Sequence, residues 1–173
     1  MFVCSTYDQR CTVAGFDCGQ PTLTAWLTRH AATAQAKRTA QVFVWTEEGH
    51  ADVLAYFTLS AHEIVAADLP RRLARGMPEG VPAVLLGKLA LDRRLHGRGL
   101  GGQLLFDAYQ RIVAATRTVA ARYLVVDAVD DHAARFYEHY GFLRSPAEPS
   151  LRLVRKISAI HADVAPGPRG EGA

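Results

Sequence analysis

The run Ala83-Val84-Leu85-Leu86-Gly87-Lys88-Leu89-Ala90-Leu91-Asp92-Arg93-Arg94-Leu95-His96-Gly97-Arg98-Gly99-Leu100-Gly101-Gly102 decides how the rest of the chain is read. Its first part, 83–91, is apolar on both faces, the pattern of a central strand. Its last part places four glycines in the six residues 97–102. Immediately beyond, Leu100, Leu104, Leu105, Ala108, Ile112 and Ala115 recur on one helical face. Glycines let a backbone approach a ligand closely, and a helix N-terminus offers free N–H groups to an anion. Arg93, Arg94 and Arg98 add positive charge, so a pyrophosphate is the natural occupant of this turn. A P-loop needs GxxxxGK followed by Ser or Thr, and Gly87-Lys88-Leu89 has neither the spacing nor the hydroxyl. Gly97, Gly99 and Gly102 satisfy GxGxxG, but in a dinucleotide fold the first glycine follows its strand at once, whereas Asp92 to His96 intervene here.

Upstream, Pro21 starts and Thr22 caps a predicted helix running to about Lys37, with Leu23, Trp26, Leu27, His30 and Ala34 at helical spacing. Residues 41–46 read as a strand, Glu48-Gly49 as a turn and 53–60 as the hairpin partner. Residues 68–82 carry Pro70, Gly76, Pro78, Gly80 and Pro82 and read as irregular, with one helical turn over Arg71 to Arg75. Downstream, 123–128 is a second buried strand. A short helix comes next, lined by Ala133, Phe136, Tyr137 and Tyr140 and ended by Gly141. A last strand is expected over Ser150 to Lys156. The fold class is therefore α/β (α+β), in one domain over 1–160 with a flexible tail over 161–173.

The chain of 173 residues is 49% hydrophobic and 21% charged, which is ordinary for a globular domain. No apolar run reaches the ~18–20 residues of a membrane span. Met1-Phe2-Val3-Cys4-Ser5 has neither the basic nor the apolar region of a signal peptide, and with three cysteines the expected compartment is a reducing cytoplasm. Cys4, Cys11 and Cys18 lack close pairs or short-spaced histidine partners, so no metal site is expected.

The glycine turn and the segment 130–142 resemble the Gcn5-related N-acetyltransferase superfamily. Its coenzyme A loop, Q/R-x-x-G-x-G/A, aligns with His96, Gly99 and Gly101, with histidine in place of Gln or Arg. Its second motif, N-x-x-A-x-x-F-Y-x-x-x-G-F, aligns with Asp130, Ala133, Phe136, Tyr137, Gly141 and Phe142, with aspartate in place of asparagine. Phe16-Asp17-Cys18-Gly19, Leu23, Trp26-Leu27, Gln35 and Arg38-Thr39 resemble the acetyltransferase toxins of bacterial toxin–antitoxin pairs. So do 56–60, 70–73, Met77-Pro78, 86–92, 136–142 and Ser145-Pro146.

That resemblance implies a mixed central sheet splayed around acetyl-CoA, the cosubstrate, and flanked by helices. Leu89, Ala90 and Leu91 would pair with the pantetheine arm, and His96, Gly97, Arg98, Gly99, Leu100, Gly101 and Gly102 would hold the pyrophosphate. Asp130, Ala133 and Phe136 complete the implied cofactor site. Tyr137 is the implied catalytic acid, giving a proton to the departing sulfur. The resemblance further implies an aminoacyl-tRNA substrate, a homodimer and a ribbon-helix-helix antitoxin as partner.

No base stands out among Asp127, Asp130, His132 and Glu138. An α-amine, with a pKa of about 7.7–8, needs less help than a lysine near 10.4. Residues 71–98 hold seven basic side chains against two acidic, in a chain of net charge +3. Arg71, Arg72, Arg75, Arg93 and Arg94, joined by Lys37 and Arg38, are therefore the candidate tRNA-binding residues. Two other readings stay open at this point: transfer to a small amine or protein N-terminus, and a non-catalytic coenzyme A- or RNA-binding module.

Overall fold

In β2 (Gln41–Glu47) the side chains alternate, yet both faces are covered. Val42 and Val44 pack on one side and Phe43 and Trp45 on the other, all buried. The same holds through β3 (Ala55–Val65), β4 (Gly80–Leu91) and β5 (Tyr123–Asp127), so helices must lie on both sides of the sheet. The structure, a computed structural model, describes residues 1–148 and 151–166. With β1 (Phe2–Thr6), β6 (Leu143–Arg144) and β7 (Arg152–Lys156), the described strands form one sheet in the order β1-β2-β3-β4-β5-β7-β6. Every pairing in it is antiparallel except β4 with β5.

The central expectation holds: 83–91 lies inside the sheet, continued backward to Gly80. Pro82 is tolerated because β5 begins pairing only at Ala83, while the Pro82 carbonyl still accepts from the Arg122 N–H at 2.8 Å. On one face α4 (Leu100–Thr116) packs with α5 (Asp131–His139) and α6 (Ile157–Val164). The other face carries α1 (Pro21–Arg29) and α2 (Ala31–Lys37) over β2–β4, and the single turn α3 (Arg71–Ala74) over β4, β5 and β7.

Several boundaries differ from the sequence expectation. The first helix breaks at His30, with no glycine or proline to mark it, and α2 then lies along β2, where Gln35 Oε1 accepts from the Val42 N–H at 2.7 Å. Gln20, not Thr22, is the N-cap, with Pro21 at the first helical position. β1 and the two-residue β6 carry no apolar alternation that would mark them in the sequence. The expected tail over 161–173 is corrected at its start: 161–164 belong to α6, which buries Ile157 and Ile160 and ties His161 Nε2 to Thr116 Oγ1 at 2.8 Å. Residues 167–173, and Ser150 at the start of the expected last strand, lie outside the described residues.

The glycines of the turn divide by purpose. Gly97 and Gly99 adopt φ of 73° and 70°, which a side chain disfavours. Gly101 and Gly102 are helical, and their space is taken by α5: a Cβ on Gly101 would meet Phe136 at 3.2 Å, and one on Gly102 would overlap the Tyr140 hydroxyl. Alanine normally stabilises a helix interior over glycine by up to about 1 kcal/mol. Gly102→Ala should instead destabilise the fold by about 1–3 kcal/mol through overpacking, measured by urea unfolding. An unchanged midpoint would show that Tyr140 simply moves aside.

Candidate active site

β4 and β5 are joined by pairs from Ala83–Tyr123 to Leu86–Val126 and no further. At that point β4 bulges. Thr58 of β3 pairs with Lys88 and the next residue, Leu59, pairs with Leu86, leaving Gly87 as the extra residue. A bulge bends its strand and reverses which residues face each side. Glycine is needed there because a Cβ would come within 2.9 Å of Thr58 Oγ1. Beyond the bulge Leu89, Ala90 and Leu91 still pair with Phe57, Tyr56 and Ala55, but their other edge has lost β5. Open backbone donors and acceptors on that edge can accept an extended ligand as an added strand.

A cleft of about 490 Å³ lies along this edge. Of the residues expected from sequence, Leu89, Ala90, Leu91, His96, Gly101, Asp130 and Ala133 line it. Gly97, Arg98, Gly99, Leu100, Gly102 and Phe136 are not in its wall, and neither is Tyr137. Phe136 instead packs against Gly101, with its ring edge-on to Tyr137 and tilted against Tyr140. Arg98 turns to a separate hollow with Glu47 and Asp52. His132, weighed in the sequence only as a base, is in the wall, and the sequence reading missed the part supplied by Cys18, Gly19, Gln20, Leu23 and Val129. Only the family resemblance of 16–19 hinted at it, since no local pattern says that this loop folds over β4.

Asp92 is what holds that loop in place. Its carboxylate is buried at 2% residue exposure and accepts from the Arg94 N–H at 3.0 Å, Arg94 Nε at 2.8 Å and the Asp17 N–H at 3.1 Å. The Arg93 N–H donates to the Asp17 carbonyl at 2.8 Å, and the Arg93 side chain bonds Asp17 Oδ2 at 3.1 Å. Burial pushes the Asp92 carboxyl up, but these donors outweigh it and leave it below the ordinary carboxylate range. His96 Nε2 lies 2.9 Å from the Leu91 carbonyl; a carbonyl only accepts, so Nε2 carries the proton and pins the glycine turn to the end of β4.

Opposite, Asp130 caps α5 by accepting from the Ala133 N–H at 2.8 Å, and Gln20 Nε2 reaches Asp130 Oδ2 at 3.4 Å across the cleft mouth. Tyr137 sits one turn further along α5 at 7% exposure, its ring against Phe136 and Phe142. Burial, with Tyr109 nearby, pushes its phenol well above the ordinary tyrosine range. Among the described residues its hydroxyl has no hydrogen-bond partner. The remaining acids are engaged: Asp127 with Arg152 and Glu138 with Arg144.

The basic stretch 71–98 does not form one patch. Arg71, Arg72 and Arg75 stand at the start of β4 and Arg93, Arg94 and Arg98 at its end, with a 12-residue strand between. At about 3.3 Å per residue that separation is roughly 40 Å. Arg93 and Arg94 are moreover paired with Asp17 and Asp92. Lys37 and Arg38 end α2, exposed. Among the described residues no group of three or more His, Cys, Asp or Glu could hold a metal ion.

No family profile matches the chain. A "tRNA-acetylating toxin" of Mycobacterium tuberculosis is 37% identical over 153 residues, covering 87% of this chain and 91% of the relative. The structure of AtaT complexed with acetyl-methionyl-tRNAfMet superposes with a TM-score of 0.86 at 26% identity, covering 95% of this chain and 100% of that one. The structure of AtaTR bound with acetyl-CoA superposes with a TM-score of 0.83 at 27% identity, covering 95% and 98%.

Asp92→Ala should cost about 1.5–3 kcal/mol at neutral pH, since it removes charge-assisted bonds from a buried carboxylate. Because the folded-state pKa is lowered, this contribution is complete above the unfolded value near 3.9 and fades as pH falls through the folded value. Urea titrations of wild type and variant should therefore converge in acid. A constant gap at all pH values would contradict the ionic role.

Proposed function

The chain belongs to the family of tRNA-acetylating toxins, and from that premise we propose that it moves the acetyl group of acetyl-CoA to the α-amino group of aminoacyl-tRNA. The observation that carries the proposal is the open edge of Leu89–Leu91, bounded by a glycine turn at one side and by the N-terminus of α5 at the other. The fit of acetyl-CoA rests on the same features. Leu89, Ala90 and Leu91 would pair with the pantetheine amides, and the turn from His96 to Gly102 would meet the pyrophosphate through backbone N–H groups. When bound, acetyl-CoA supplies an activated acyl thioester.

The chain's own groups do the rest. The acceptor nitrogen attacks the thioester carbon, an N–C bond forms, the C–S bond breaks, the amine releases a proton and the sulfur takes one up. N–H groups near Leu91 face the oxygen on which charge develops. Tyr137 is the donor to the departing sulfur. Its raised pKa keeps the phenol neutral throughout the working pH range, and its unpartnered hydroxyl is free to give a hydrogen bond. Neither Asp127 nor Glu138, each already in an ion pair, is available as a base, which suits an acceptor that is partly neutral near pH 7.

The AtaT complex with acetyl-methionyl-tRNAfMet supports the choice of acceptor class. Lys37, Arg38, Arg71, Arg72 and Arg75 are exposed cations that an RNA backbone could meet. Arg93 and Arg94 would act there as the outer face of the ion pairs that fix the cleft wall. The proposal extends to a homodimer that acts in the cytoplasm and is neutralised by a ribbon-helix-helix antitoxin. No helix among the described residues is long and apolar enough to cross a membrane.

Incubation with labelled acetyl-CoA and mixed charged tRNA should place the label on aminoacyl-tRNA. Label found only on free amines or protein N-termini would overturn the acceptor assignment. Tyr137→Phe should lower kcat by about 10²–10⁴-fold with acetyl-CoA binding unchanged, and should relieve growth arrest on expression. Wild-type turnover in that variant would remove Tyr137 from the chemistry.

A further inference from the structure

A second hollow, of about 410 Å³, touches the same stretch of β4 from the α1–α2 side of the sheet. Trp26, His30, Thr58, Ser60, Gly87 and Lys88 are in its wall. α1 separates it from the first cleft: Leu23 faces the cleft and Trp26 faces the hollow. Along β4 the cleft takes Leu89 to Leu91 and the hollow takes Leu85, Gly87 and Lys88, so the two adjoin on the strand at Lys88 and Leu89, just past the last pair with β5. A nucleophile must reach a thioester carbon from a side that the thioester itself leaves open. The inference rests on the transferase reading, under which the hollow is the side of the amine.

The cation placed there is Lys88. Its Nζ lies 4.6 Å from the centroid of the Trp26 ring, which in turn stacks on Tyr56. Among the described residues no carboxylate pairs with it, and none lines the hollow. His30 is the other titratable group in the wall, and Thr33, Thr39, Thr58 and Ser60 are its neutral polar neighbours.

We propose that Lys88 is a positioning residue for the nucleophile: its unpaired ammonium, held over Trp26 beside the parting strands, disfavours the protonated form of the acceptor amine. A like charge close to an amine lowers the fraction that is protonated, and a cation beside a reacting amine is an established way to activate it. No basic side chain has then to accept the proton before attack. The bound acceptor enters the chemical step already neutral, and the proton leaves to solvent as it binds. Burial alone holds the Lys88 ammonium below the ordinary lysine range, in keeping with a cation set in a partly dry wall.

The test is the pH dependence of kcat at saturating aminoacyl-tRNA and acetyl-CoA, which reports groups in the bound complex. Wild type should lose rate in acid with a midpoint below that of the free α-amine. Lys88→Met keeps the stem on Trp26 and removes the charge. Its midpoint should rise by about one pH unit, lowering kcat roughly tenfold on the acid side while converging with wild type in alkali. Lys88→Arg should restore the midpoint, and His30→Gln should leave it in place; should Lys88→Met not fold, Lys88→Gln carries the same expectation. A raised KM with an unshifted kcat profile would make Lys88 a phosphate contact and overturn the proposal. A midpoint that follows His30→Gln instead would do the same. Absence of transfer by wild type would overturn the underlying transferase reading, an outcome distinct from either.

Discussion

Four backbone pairs hold β4 to β5, from Ala83–Tyr123 to Leu86–Val126, and the site exists because the ladder stops there. β5 itself ends one residue later, at Asp127. β4 runs on for five residues, Gly87 to Leu91, of which Lys88 to Leu91 are still paired with β3 on the other side. The bulge at Gly87 makes this possible without breaking the core. It bends β4 and restores the burial alternation, so that Leu86 faces α4 and Ala90 faces α1. The chain thus leaves a length of strand edge unpaired in its interior, where backbone groups are seldom left without partners. A ligand with amides of its own meets that need.

The walls around the edge are set by polar contacts rather than by apolar packing alone. Asp92 ends β4 and gathers the Asp17 N–H, the Arg94 N–H and the Arg94 side chain, drawing the 16–20 loop over the cleft. Asp130 ends the opposite approach by capping α5. In both places an acidic side chain serves backbone donors, and the Gln20 amide meets Asp130 from the loop that Asp92 holds. The aromatic group Phe136, Tyr137, Tyr140 and Phe142 then fixes α5 against the glycine face of α4. That packing requires glycine at 101 and 102 for a reason unrelated to phosphate.

Basic residues that are neighbours in sequence serve different ends. Arg93 and Arg94 fasten the cleft wall, Arg98 faces acids from the β2–β3 turn, and Arg71, Arg72 and Arg75 stand far along β4. A charge count along the chain treats a strand as if it had no length. Asp17, more than 70 residues upstream, neutralises a cation that the local count leaves free.

The central strand, the glycine turn, the helix after it and the tyrosine-bearing helix are legible in the residues, because each is written in contiguous periodicity and turn chemistry. The sequence also carried the resemblance to the acetyltransferase toxins through 96–101 and 130–142. Only the packed arrangement shows that Gly101 and Gly102 answer to Phe136 and Tyr140, that Asp92 organises the loop over the cleft, and that α6 runs through 161–164 into the expected tail. It alone placed Lys88 over Trp26 in a hollow without acids. The reason is common to all of these. Each depends on which residues meet across the sheet, and a bulge of one residue at Gly87 changes that pairing while leaving the local pattern of the strand legible.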